Sequence, residues 1–113
     1  MTRILIVLSL LLLARAVPSG AASLPAEVLA DMARADVVLL GEIHDNPQHH
    51  LTQAEAVSAL APAAVVWEML TAEVAAKLTP EVIADPAVLA EVTDWGNSGW
   101  PPLALYLPVF QAV

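Results

Sequence analysis

Cysteine is absent from this 113-residue chain. A disulfide framework and a thiolate metal site are therefore excluded, and the folded part must be stabilised by packing alone. A lipid anchor attached to cysteine is excluded for the same reason, so we do not expect a lipoprotein.

Basic residues are scarce as well. Lys and Arg together number four, against 12 Asp and Glu residues, which gives a formal net charge of −8. Nucleic-acid binding needs clustered Lys and Arg, so nucleic acid is a poor partner. An anionic lipid surface would also repel this chain.

The chain lacks an N-terminal apolar run long enough to span a bilayer. Ile4–Ala14 is an unbroken run of 11 apolar and small residues, whereas a membrane-spanning helix needs roughly 20. Arg3 precedes the run, and small residues follow it at 18–22. This pattern predicts a signal peptide over residues 1–22 and an exported chain of residues 23–113, without stable membrane insertion after cleavage.

Two short apolar runs each end in a carboxylate. Asp36–Gly41 is followed by Glu42, and Ala63–Glu68 ends in its own glutamate. Between them, Asn46-Pro47 is a typical helix start, with Asn as cap and Pro at the first helical position. Strand, helix and strand in this order predict a right-handed βαβ unit, which is the beginning of a mainly parallel α/β sheet with flanking helices.

This topology predicts where the polar side chains lie. The carboxyl ends of parallel strands share one edge of the sheet, with neighbouring strands about 4.8 Å apart, and ligands bind outside that edge. Glu42 and Glu68 should therefore lie close together, with His44 in the loop above them. His49 and His50 fall in the first helical turn about 100° apart, so only one of them can face the pocket.

Each of these residues also has a structural interpretation. Glu42 could cap a neighbouring helix, Glu68 could be a solvated strand end, and surface histidines on helices are common. Tyr106 could be a packing residue with its hydroxyl at the surface.

Two parallel strands cannot close a sheet that is covered on both faces, because such sheets usually have about five strands. We therefore expect residues 23–113 to be the first part of a longer domain. A small domain that forms a homodimer is the alternative.

Three motifs together resemble a known family. They are Val37–His50, Ala64–Met69 and the loop that runs from Trp95 to Tyr106. In combination they resemble the ChaN-like haem-binding uptake proteins of the Tiki superfamily, which are related to erythromycin-esterase-like enzymes. The resemblance covers about residues 24–113 and only the N-terminal portion of a family member.

The resemblance implies an α/β fold, a periplasmic location in a Gram-negative cell, and haem binding for iron uptake. Residues that would contact haem are Glu42, His44, His49, His50, Glu68 and Tyr106, with His44 or Tyr106 as the iron ligand. The alternative is a hydrolase in which Glu42, His44 and Glu68 activate water, with a divalent metal as an optional cofactor. A binding protein is favoured over an enzyme.

Overall fold

The computed structural model describes residues 23–113, and the predicted signal peptide lies outside them. Six α-helices and one short 3₁₀-helix make up the regular structure of this part. Their bounds are α1 Ala26–Met32, α2 Pro47–Leu60, α3 Ala72–Ala75, α4 Pro80–Ala84, α5 Pro86–Val92, the 3₁₀-helix Trp95–Asn97 and α6 Leu103–Phe110.

The Asn46-Pro47 signal predicted the start of α2 correctly. Asn46 caps α2 by accepting a hydrogen bond from the Gln48 amide at 3.0 Å, and Pro47 occupies the first helical position. Thr79 and Asp85 cap α4 and α5 in the same way. Such caps satisfy amides that a helix cannot pair internally, and they depend only on nearby residues.

The start of α1 is held by a contact with α2. Ser is a favoured N-cap residue, but Pro25 rather than Ser23 occupies the N-cap position of α1, without a side-chain hydrogen bond. Ser23 instead donates its hydroxyl proton to Glu55 on α2, and the Leu24 amide donates to the same carboxylate. The start of α1 is therefore tied to α2 by a contact that local sequence does not reveal.

The predicted βαβ unit and its sheet are absent from the described residues, so the α/β fold class is corrected to a helical one. Segments 37–42 and 63–67 contain no strand, and no backbone hydrogen bond joins them. A strand requires a neighbour that pairs its amides and carbonyls. Here both segments line a cleft of about 1070 Å³. Their backbone amides and carbonyls do not pair with each other.

Both segments nevertheless keep the burial pattern of a strand. Exposed and half-buried residues alternate along 37–44 and again along 64–69. Leu39 is 91% exposed and Val66 is 95% exposed. Burial therefore alternates with the period of two that extended backbone produces, with one side of each segment packed inward and the other facing solvent.

The core lies between the helices. Leu89, Trp95, Tyr106 and Phe110 form a buried cluster, and Trp67 stacks on Phe110 with ring centroids 4.1 Å apart. Helix α6 carries two of these residues and packs against α2. Within residues 23–113, no helix is both long and apolar enough to cross a membrane.

Candidate functional site

The loop between segment 37–42 and α2 holds the chemically distinctive side chains. His44 Nδ1 lies 2.8 Å from Glu42 Oε1. A carboxylate only accepts hydrogen bonds, so Nδ1 carries a proton in this contact, and Nε2 is the ring nitrogen that Glu42 leaves unengaged. The His44 side chain is 44% exposed and the Glu42 side chain is 11% exposed.

This pair lies on the wall of the cleft. Residues from segments 35–42 and 62–69 line it, together with Tyr106 and Val109 of α6. Glu42, His44 and Glu68 all face it, and the ring of Trp100 packs edge-on against His44 with centroids 4.8 Å apart. The cleft therefore combines largely apolar walls with a few polar groups at one end, which is the usual composition of a ligand site.

His50 is fully buried beneath the loop. Its Nε2 atom lies 2.8 Å from the main-chain oxygen of His44 and donates to it. Its Nδ1 atom lies 3.3 Å from Glu42 Oε2, without a hydrogen bond within the described residues. His50 thus contacts both the carboxylate and the backbone of the residues that line the cleft.

His49 points elsewhere. Its Nδ1 atom accepts a hydrogen bond from the Ile43 amide at 2.8 Å, and its side chain lines a separate, smaller cavity of about 230 Å³. The structure therefore brings Glu42, His44 and His50 together and places His49 apart from them.

The carboxyl group of Glu42 is held in its ionised form. Burial alone would raise the pKa of Glu42, but hydrogen bonds from His44 and Gln53 and the neighbouring His50 outweigh burial and hold it below the ordinary 4.5. Gln53 also donates to the Leu40 carbonyl at 3.4 Å. Sequence reasoning missed Gln53, although its position one helical turn after His50 places both on the same face of α2.

Tyr106 is fully buried at the base of the cleft. Desolvation and the negative charge of Glu42 raise the pKa of Tyr106 to about 12. Its hydroxyl donates a long hydrogen bond of 3.4 Å to the His44 carbonyl. The phenol is therefore kept neutral, and it acts as a donor toward the loop.

Within residues 23–113, no group of three or more His, Asp or Glu side chains has the arrangement of a metal-ion site. An iron atom in a porphyrin needs fewer protein ligands, because the ring supplies four ligands and the protein adds one or two axial ones. A single accessible imidazole nitrogen is therefore sufficient.

The chain matches a family of known proteins. The family described as "Haem-binding uptake, Tiki superfamily, ChaN" matches residues 28–113. No curated protein and no solved structure matches the chain. The family match spans most of the sequence and includes the whole site, which confirms the resemblance drawn from the motifs: this chain belongs to the ChaN family of haem-binding uptake proteins.

Proposed function

We propose that the protein binds haem in the cleft between segments 35–42 and 62–69, with His44 as the axial ligand of the iron. The observation that carries the proposal is the Glu42–His44 hydrogen bond. Histidines that bind metal commonly donate their other ring proton to a carboxylate, which fixes the tautomer and makes the free nitrogen more basic. His44 has this arrangement on the wall of the cleft.

The dimensions and lining of the cleft support the proposal. Its volume of about 1070 Å³ is at the upper end of the range of small-molecule and cofactor sites. Val38, Leu40, Val65 and Trp67 are among its apolar lining residues, and they suit the flat faces of a porphyrin. When bound, haem would supply the iron chemistry, and the protein would supply the axial nitrogen and an apolar enclosure.

Charge sets the orientation of the ligand. The described residues that line the cleft include Asp36, Glu42 and Glu68 and no Lys or Arg. Haem carries two propionate groups, which these carboxylates would repel. The propionates therefore point toward solvent at the open side of the cleft, and the apolar porphyrin edge enters first.

The choice of His44 over Tyr106 follows from burial. A tyrosine ligates haem iron as tyrosinate, and the raised pKa of Tyr106 opposes that form. The side chain of Tyr106 is also fully buried, whereas that of His44 is 44% exposed.

Titration of the full chain with haemin tests this proposal. We expect a saturable Soret band at one haem per chain, and we expect His44→Ala to weaken binding at least tenfold. His49→Ala is the matched control, since it removes a histidine five residues away that does not line the cleft. Equal affinity of the wild-type protein and His44→Ala would overturn the assignment of the ligand, and the absence of saturable binding would overturn haem binding itself.

The proposal includes export to the periplasm, supported by the pattern of residues 1–22. Expression in a Gram-negative host followed by osmotic release tests it. The expected product is a periplasmic protein whose first residue is Ser23. Retention in the cytosol with Met1 intact would contradict export.

A further inference from the structure

The main-chain carbonyl of His44 receives two buried donors. The Nε2 atom of His50 lies 2.8 Å from this oxygen, and the hydroxyl of Tyr106 lies 3.4 Å from it. Both side chains are fully buried. The two donors come from different helices, α2 and α6, and they meet at one atom of the loop.

The same histidine also faces the carboxylate that orients the imidazole of His44. His50 Nδ1 is 3.3 Å from Glu42 Oε2, while Glu42 Oε1 is 2.8 Å from His44 Nδ1. His44 is therefore held at two points, its backbone by His50 and its ring by Glu42. A closed set of contacts of this kind restricts the rotation of the ring and the position of the loop together.

The geometry assigns His50 and Tyr106 to positioning His44, rather than to binding the ligand themselves. This inference rests on the proposed function. The Nε2 atom of His50 is engaged by a carbonyl, and neither side chain exposes surface to the cleft's solvent. Residues that orient a metal ligand in this way typically contribute 10–100-fold to metal affinity.

Three variants of the full chain separate positioning from bulk packing. His50→Leu removes the donor to the His44 carbonyl and keeps an apolar side chain. His50→Gln restores an amide donor at a similar distance from the backbone. Tyr106→Phe removes only the hydroxyl and keeps the ring that packs on His50 and Trp95.

We expect His50→Leu to weaken haemin binding about tenfold and to broaden the electron paramagnetic resonance signal of ferric haem, because the axial imidazole is no longer held at one orientation. His50→Gln should recover most of the affinity and the narrow signal. Tyr106→Phe should lose less haemin affinity than His50→Leu, since the hydrogen bond from the Tyr106 hydroxyl is longer than that from His50. Glu91→Gln, at an exposed position on α5, is the control and should leave the signal unchanged.

A measurement without haem completes the test. Nitrogen-15 resonances of the His44 ring should report the Nδ1-protonated tautomer in the wild-type protein, and a mixture of tautomers in His50→Leu. Circular dichroism identifies a variant that fails to fold, in which case His50→Gln and Tyr106→Phe decide the question.

The outcomes distinguish the two proposals. If the wild-type protein does not bind haemin or His44→Ala binds normally, the proposed function fails, whatever the tautomer data show. If wild-type binding depends on His44 while His50→Leu and Tyr106→Phe keep the wild-type affinity, signal and tautomer, the positioning role is overturned.

Discussion

The rings of Tyr106 and His50 pack against each other with centroids 4.3 Å apart and a tilt of 53°. Both side chains are fully buried, so this contact joins α6 to the first turn of α2 directly beneath the loop that carries His44. The polar end of each ring faces the loop, and the apolar body of each ring faces the core. The candidate site therefore rests on the same contact that joins the two helices.

Tyr106 should ionise at an unusually high pH. Desolvation and the charge of Glu42 raise its pKa to about 12, and it is the only tyrosine of the chain. Tyrosinate absorbance during an alkaline titration thus reports this residue alone. We expect a midpoint near 12 in the wild-type protein, and a midpoint closer to the ordinary 10 in Glu42→Gln.

The raised pKa of Tyr106 also affects the folding stability of the protein at high pH. The pKa of Tyr106 is higher in the folded than in the unfolded chain, so folding stability falls as the pH rises from about 10 toward 12. Tyr106→Phe should remove that part of the pH dependence in urea unfolding measured across this range. If the free energy of unfolding falls as steeply with pH in Tyr106→Phe as in the wild-type protein, other groups cause the loss of stability.

Replacing Glu42 should destabilise the fold in a pH-dependent way. Its pKa is lower in the folded chain than the ordinary 4.5, so its contribution is present above about pH 4.5 and is lost as the pH falls through the folded value. We expect Glu42→Gln to lower the free energy of unfolding by about 2 kcal/mol at pH 7, the usual contribution of hydrogen bonds to a charged group.

The difference between Glu42→Gln and the wild-type protein should shrink below pH 4.5. Glu91→Gln, at an exposed position on α5, is the control and should stay within about 0.5 kcal/mol of wild type. Denaturant unfolding at several pH values measures both. A difference that is constant with pH would mean that Glu42 acts through packing rather than charge.

Removing an acidic group from the cleft should strengthen haem binding. Glu68 is exposed and lines the cleft, and its charge would repel the propionates of haem bound as proposed. Glu68→Gln should raise haemin affinity about twofold to threefold, because a single charge at several ångströms in water contributes less than about 1 kcal/mol.

The gain from Glu68→Gln should diminish at high salt, where such interactions are screened. Glu73→Gln is the control, since Glu73 lies on α3 and does not line the cleft. An equal gain from both variants would indicate an effect of net charge alone.

The exposed segments should promote self-association. Leu39 and Val66 are exposed on extended backbone without ladder hydrogen bonds, a combination that templates strand pairing between chains. Leu39→Lys should reduce aggregation, as measured by light scattering at increasing protein concentration. Leu51→Lys, on helical α2, should have little effect although Leu51 is also exposed. Equal scattering from both variants would exclude association through segment 37–42.

Features set by neighbours in sequence were predictable. The caps at Asn46, Thr79 and Asp85 require only a side-chain oxygen two or three residues before an amide, and all three are present. The family was also recognisable, because its motifs are short and contiguous. The sequence also placed Glu42, His44, His49 and His50 within nine residues, but it did not predict which of these histidines contacts Glu42.

Features that depend on distant residues were not predictable. The apolar runs at 37–42 and 63–67 predicted strands wrongly, because a sheet also needs pairing, which composition does not encode. His50 gave no sign of complete burial, because α6 covers it. Ser23 pairs with Glu55, 32 residues away, and no local rule finds such a partner.

The hydrogen bond between Tyr106 and the His44 carbonyl spans 62 residues of chain, and this separation determines when the site can form. Closing a loop of that length costs entropy before any contact compensates for it. The loop, its histidines and the cap of α2 can form early from local interactions. The contact of Tyr106 with the His44 carbonyl forms only when α6 docks on α2, so the complete set of contacts at the loop depends on packing between distant parts of the chain.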